Sequence, residues 1–257
     1  MNNFKDFSKF GLGGLSHLNI VENEKSITTA SIPPISILDI IYQRKYKCPI
    51  CNSEFTNSAI KSGKNQLKSV DNDLRATYSL ADPMLYDIIT CPCGHTAISS
   101  AFNTLLPSQR SIVRNQICAH YIPVQIEEVR STQYALDLYQ LGLANCLVRH
   151  GKNIEKAILC LRLSWLYKDL NQLEAEKEFI TNAYECFSLS LDQDTYPILG
   201  FDFHRAVYTT AVLAFKLGFY DKSSQLVSAI LINTNVHARL KEHILELKSQ
   251  LSKVKSK

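Results

Sequence analysis

Two cysteine pairs carry the sequence features closest to chemistry: Lys47-Cys48-Pro49-Ile50-Cys51 and Thr90-Cys91-Pro92-Cys93-Gly94-His95. In the first, C-P-x-C spacing lets one tight turn present two thiolates to the same ion. Proline stiffens that turn and leaves backbone N–H groups free to bond the sulfurs. In the second, Gly94 supplies the permissive backbone that such a turn needs just past its last ligand. Two turns of this kind, separated by residues 52–90, predict a tetrahedral four-thiolate site closed to solvent, which is the chemistry of structural zinc. Iron in a rubredoxin-like site is the alternative for the same donors. A zinc site of this type contributes on the order of 10 kcal/mol to folding a segment too small for its own core. The second pair is C-x-C, one residue short of the regular spacing, so its sulfurs are harder to aim at one ion. Cys91 with Cys93 is the first choice; His95 with either Cys93 or Cys91 is the alternative ligand pair.

Other candidate chemistry has simpler explanations. Cys118, Cys146, Cys160 and Cys186 are scattered singly in helical, apolar stretches and read as buried thiols. No phosphate loop, dinucleotide fingerprint, nucleophile elbow or H-E-x-x-H is present, so no catalytic residues are assigned. Asp202, His204 and Arg205 form a polar group where a helix begins, as capping would require, and Glu174, Glu176 and Glu178 read as solvated surface. Arg44, Lys45, Lys47, Lys61, Lys64, Lys68 and Arg75 oppose Glu54, Asp71, Asp73, Asp82 and Asp87 in residues 41–100. That near balance does not favour nucleic acid, although Tyr42, Tyr46, Phe55 and Tyr78 could stack bases, so a zinc-ribbon nucleic-acid binder stays an alternative reading.

The elements that must position the cysteines divide into two grammars. Residues 1–39 lack periodicity and read as a poorly ordered arm, with a docked segment near Ile35–Ile41. Residues 40–104 hold the pairs among short β-like runs, Ser53–Ile60 and Leu85–Thr90, and predict a zinc-stapled β module of the zinc-ribbon or rubredoxin-like kind. From Pro107 the pattern turns helical, with helices predicted at about 131–150, 154–170, 173–191, 202–217, 221–232 and from 237 onward. The second of these is apolar nearly all round, which demands cover on most sides. Residues 211–229 look like one tetratricopeptide hairpin, with small residues Ala211, Ala214 and Gly218 where two helices would pack closely. The expected organisation is a mainly α protein: the zinc-knuckle module at 40–104, a tetratricopeptide-like helical-hairpin array at 105–247, and a charged tail at 248–257.

Composition narrows the class further. An apolar fraction of 46% with only nine Gly and eight Pro excludes collagen-like and fully disordered chains, and the formal net charge is just +4. The longest apolar runs fall well short of a membrane span. The opening MNNFKDFSKFGLGG is interrupted by Lys5, Asp6 and Lys9 and does not read as a secretory signal, so a cytoplasmic location is expected.

CPIC at 48–51, DPMLYDI at 82–88, CPCGHTA at 91–97 and CLRLSWLYKDL at 160–170 together resemble a bacterial family known as domain of unknown function 2225. The resemblance covers roughly residues 40–247. It implies a double-knuckle module joined to tetratricopeptide-like helices, with Cys48, Cys51, Cys91 and Cys93 as ligands, and it brings no established reaction. The sequence departs from the family pattern at Asn52, where a knuckle glycine is usual, and in the residue missing between Cys91 and Cys93. The function that follows is a zinc-binding scaffold whose helices present a concave surface to a protein or peptide partner.

Overall fold

The computed structural model describes residues 36–61, 63–232 and 236–255. Most of the arm expected at 1–39 therefore lies outside the described residues. Its last part forms α1 (Ile37–Ile40), which buries Ile40 and leads directly into β1 (Ile41–Lys47). β1 pairs antiparallel with β2 (Glu54–Ile60) in a register running from Ile41↔Ile60 to Lys47↔Glu54, so the first cysteine turn is the tip of this hairpin. β3 (Leu67–Val70) and β4 (Ala76–Tyr78) make a second hairpin, and β5 (Ile88–Thr90) and β6 (Thr96–Ile98) a third, with the second cysteine turn at its tip. The run at Leu85–Thr90 divides. Pro83–Tyr86 forms a single 3-10 turn because Pro83 suits its first position and Asp82 caps the Met84 N–H at 2.8 Å. Only Ile88–Thr90 remains as strand.

Helices follow. α2 (Pro107–Val113) continues into a π-helical turn at Arg114–Cys118. Then come α3 (Thr132–Val148), α4 (Asn153–Asp169), α5 (Leu173–Gln193), α6 (Phe203–Lys216), α7 (Tyr220–Leu231) and α8 (Ala238–Lys255). Their starts follow local chemistry: Ser131 accepts from the Tyr134 N–H and Asp202 from the Arg205 N–H at 2.8 Å. The protein is mainly helical, with a small β region that holds the cysteine cluster.

α4 shows why these parts belong together. Ile154, Leu159, Leu163 and Leu166 are fully buried, and Ile158 and Leu161 nearly so. That all-round burial is met by α3 and α5 on its flanks and by the β region across its remaining side. One continuous core joins Cys48, Ile50, Ile88 and Cys91 to Leu138, Leu159 and Phe187. The segments 40–104 and 105–247 thus share this core, beside a small one of the β segment around Ile40, Ile41, Ala81 and Tyr86. Gly142 lets α3 lie close to β5: a side chain there would bring its Cβ within 2.9 Å of Ile88. A further core fills the space among α6, α7 and α8, around Tyr208, Ala211, Ile230 and Ile244.

Residues 248–255, expected as a charged tail, continue α8. Ile244, Leu247 and Leu251 recur at three and four residues and are all buried, so the apolar stripe holds the last turns in place while Lys248 faces solvent. No helix among the described residues is long and apolar enough to cross a membrane.

Candidate metal centre

The two hairpin tips bring Cys48, Cys51, Cys91 and Cys93 together, with all four sulfurs within 4.8 Å of one another. The pairing across the site is reciprocal. Cys48 Sγ lies 3.7 Å from Cys93 Sγ, and Cys51 Sγ lies 3.6 Å from Cys91 Sγ. Four sulfurs at zinc–thiolate bond length on a tetrahedron would be about 3.8 Å apart. The thiol set therefore fits a tetrahedral ion, and the cluster could hold a metal.

Each turn uses the same local device despite the different spacing. The N–H two residues on points at the first sulfur: Ile50 N–H to Cys48 Sγ at 3.4 Å, and Cys93 N–H to Cys91 Sγ at 3.5 Å. Each turn then closes on a left-handed residue directly after its second cysteine. In the first, Asn52 (φ 62°) donates to the Cys48 carbonyl at 3.0 Å; in the second, Gly94 (φ 94°) donates to the Cys91 carbonyl at 2.8 Å. Asparagine is among the few side chains that tolerate this region, which explains how Asn52 serves where glycine is usual. The residue missing between Cys91 and Cys93 is absorbed by closing the turn one residue earlier.

The tertiary surroundings of the second turn compensate for its shortness. Asn145, fully buried on α3, donates to the Gly94 carbonyl at 3.2 Å and accepts from the Thr96 N–H at 3.3 Å. The Tyr121 ring covers Gly94 so closely that a Cβ there would fall 2.6 Å from Tyr121 Cγ. His95, the alternative ligand, turns away from the sulfurs into the core. Its Nε2 donates to the Phe102 carbonyl at 3.1 Å and its ring packs on that of Phe102, at 4.6 Å between centroids. Burial pushes its pKa below the ordinary imidazole range.

Burial is uneven across the centre. Cys48 and Cys91 are buried, Cys93 is half-buried and Cys51 is exposed. The site expected to exclude solvent instead reaches the surface along its Cys51 edge. Electrostatics then favour a cation. Hydrogen bonds with Cys48 and Cys91 hold the Cys93 thiol down to about 3, while those with Cys48 and Cys93 push Cys91 far up. Thiols this close cannot all ionise without a positive ion between them.

Besides Asn145, sequence reasoning missed Cys118 and Arg130. Cys118 is not a remote core thiol: at the end of the π-helical turn its Sγ stands 3.7 Å from Cys93 Sγ, making a fifth sulfur beside the cluster. Its isolation in sequence hid this. Arg130 is buried and donates to the carbonyls of Leu85 (2.7 Å) and Ile88 (2.9 Å) and to the Asn57 side chain, while its backbone N–H bonds the Tyr86 hydroxyl at 3.0 Å. It joins the first hairpin to the strand that precedes the second cysteine turn. Asp202 serves as the cap expected of it, whereas Arg205 turns into a cleft. Cys146 and Cys160 are buried as expected, and Cys186 is half-buried.

Comparison with known families matches residues 41–251 to an uncharacterised protein conserved in bacteria (DUF2225). No curated protein and no solved structure matches the chain.

Proposed function

The chain belongs to this bacterial family, whose description carries no activity, and from the site itself we infer that Cys48, Cys51, Cys91 and Cys93 bind one zinc ion as a structural cross-link, supporting helices that act as a docking scaffold for a protein or peptide. The observation that carries the zinc reading is the convergence of four thiols on two turns, each with a backbone N–H aimed at a sulfur. An all-thiolate tetrahedral set suits zinc and leaves no open position for a substrate or an activated water. Bound there, zinc would neutralise the thiolates and tie the tips of two hairpins to the core they share with α3 and α4. Eight cysteines with no disulfide among them suit a reducing, cytoplasmic compartment.

The scaffold reading is supported by the irregular segment after Cys118. Ile122, Val124 and Ile126 lie on it at alternate positions, 82%, 48% and 64% exposed. Alternation of this kind on an extended segment offers a row of apolar side chains to a partner. The tetratricopeptide-like reading of the helices belongs with this proposal. It rests on hairpins such as α6–α7, where Ala211 and Ala214 are fully buried and the Ser223 hydroxyl bonds the Ala211 carbonyl at 2.7 Å.

Metal analysis and absorbance of protein purified without added metal test the first part. We expect one zinc per chain and a colourless solution, with Cys93→Ser losing metal and His95→Ala retaining it. A red, iron-loaded protein would instead support rubredoxin-like electron transfer, the reading favoured by the exposed Cys51 edge. Absence of any metal overturns both. For the scaffold, peptides selected from a displayed library on the wild-type protein should fail to bind Ile122→Ser/Ile126→Ser protein of unchanged metal content and helicity. Equal binding to both proteins removes the row from the proposal.

A further inference from the structure

A cleft of about 380 Å³ lies away from the cysteines, between the first two hairpins and helices α4 and α6. Four arginines line it: Arg44 on β1, Arg75 on the β3–β4 hairpin, Arg162 on α4 and Arg205 on α6. Two of them are satisfied within the protein. Arg75 is held bidentate by Asp169, at 2.8 and 2.5 Å, and also reaches Asp82 at 3.2 Å. Arg162 donates to Asp87 at 2.5 Å and to the Tyr139 hydroxyl at 3.0 Å.

Arg44 and Arg205 are different. Neither has an ion pair among the described residues. The Arg44 guanidinium lies over the Tyr46 ring at 5.4 Å. Arg205 lies over Phe201 at 4.6 Å, and its one hydrogen bond beyond the backbone is a long 3.5 Å contact to the Gly200 carbonyl. Its Nε is buried without a partner. Asp202 meets Arg205 through the backbone N–H as a helix cap. Burial lowers the proton affinity of Arg205, Asp202 partly restores it, and the charge of nearby Arg162 lowers it again. A half-buried guanidinium beside a second cation, with no ion pair and only partial relief from Asp202, is costly unless an anion from outside completes it.

We propose that this cleft binds a small phosphate-monoester ligand, its phosphate between the uncompensated guanidiniums of Arg44 and Arg205 and its organic part against the Tyr42, Tyr78 and Trp165 walls. Two unmatched positive charges call for a dianion, and a phosphate monoester approaches that charge near neutral pH where one carboxylate does not. Guanidinium forks match phosphate oxygens bidentately. The volume is that of a small-molecule site. This site is independent of the metal centre and of the Ile122–Ile126 row.

Trp165, the sole tryptophan of the chain, lines the cleft and reports on it. The full-length, metal-loaded protein is titrated with adenosine 5′-monophosphate, ribose 5-phosphate and uncharged adenosine, followed by tryptophan emission and calorimetry. The phosphate probes should bind and adenosine should not. Arg205→Gln and Arg44→Gln should each weaken binding about tenfold or more, Arg205→Lys less, and Arg239→Gln on the exposed face of α8 not at all. Circular dichroism and metal content check the fold of Arg205→Gln, and the exposed Arg44 provides a variant that does not disturb the core. Tighter binding of the nucleotide than of the sugar phosphate assigns the aromatic walls to a base. Equal binding assigns the site to sugar phosphates. Silence of both phosphate probes at millimolar concentration overturns the proposal, as does adenosine binding as well as its monophosphate, or equal loss in Arg239→Gln.

Discussion

The two cysteine turns make an instructive pair, because the one with regular spacing is also the more exposed at its second cysteine. Cys48–Cys51 stands at the tip of a two-stranded hairpin, with Cys51 exposed and a closing residue, Asn52, that is itself exposed. Cys91–Cys93 is a residue short, yet Asn145 bonds it from α3, Tyr121 covers Gly94, and the His95 ring behind it is locked on Phe102. The first turn has regular spacing and one outside support, the Arg114 guanidinium that donates to the Ile50 carbonyl. The second depends on the tertiary structure around it. A ligand motif that looks defective in sequence is thus completed by a helix some fifty residues away.

Breaking the pair at its sulfurs should have the largest effect. Cys91→Ser removes a buried ligand, and metal content should fall from one per chain to near zero, with loss of stabilisation on the order of 10 kcal/mol linked to the ion. Hydrogen exchange should then open β1–β2 and β5–β6 first and the α6–α8 core last. Cys51→Ser, at the exposed edge, should keep its metal but yield it to a chelator sooner, since water can reach the vacated position. Equal metal loss in both would erase the distinction between buried and exposed ligands.

The closing residues should separate the turns next. Gly94→Ala combines a left-handed backbone with a collision against Tyr121 and should cost about 3 kcal/mol in denaturant unfolding. Asn52→Gly relieves the backbone at a position with no such neighbour and should change stability by less than about 1 kcal/mol. Asn145→Ala leaves the Thr96 N–H without its side-chain partner and the Gly94 carbonyl with the Thr96 hydroxyl alone, at about 1–3 kcal/mol, and should weaken metal retention without removing a ligand. Smallest of all, Cys118→Ser should leave metal content unchanged and stability within about 0.5 kcal/mol. A clear drop in metal content would make Cys118 part of the centre.

Much of this was legible in the chain. The six helices from Ser131 onward carry apolar periodicity, caps and terminators that are all local, and the observed helices start within two residues of the expected positions. The four cysteines were legible because ligand spacing is local too. Less visible was anything that depends on one element meeting another. Cys118 has no sequence neighbour to give it away, and Arg130 and Asn145 read as ordinary polar residues until burial shows that their hydrogen bonds join separate segments. The amphipathic start of the last helix, with Ile244 and Leu247, was legible, but the lysines of residues 248–255 masked the continuation of that stripe to Leu251.

The sequence by itself determined that two thiol pairs precede a series of helices and that α4 must be covered all round, because spacing, capping and apolar periodicity act over a few residues. Tertiary structure alone decided that the β region and the helices share one core, that His95 faces inward while the shorter turn still delivers Cys93, and that Arg44 and Arg205 line the same cleft without ion pairs among the described residues. Those outcomes depend on which distant surfaces are buried against each other, and burial is a property of the packed chain rather than of any short stretch of it.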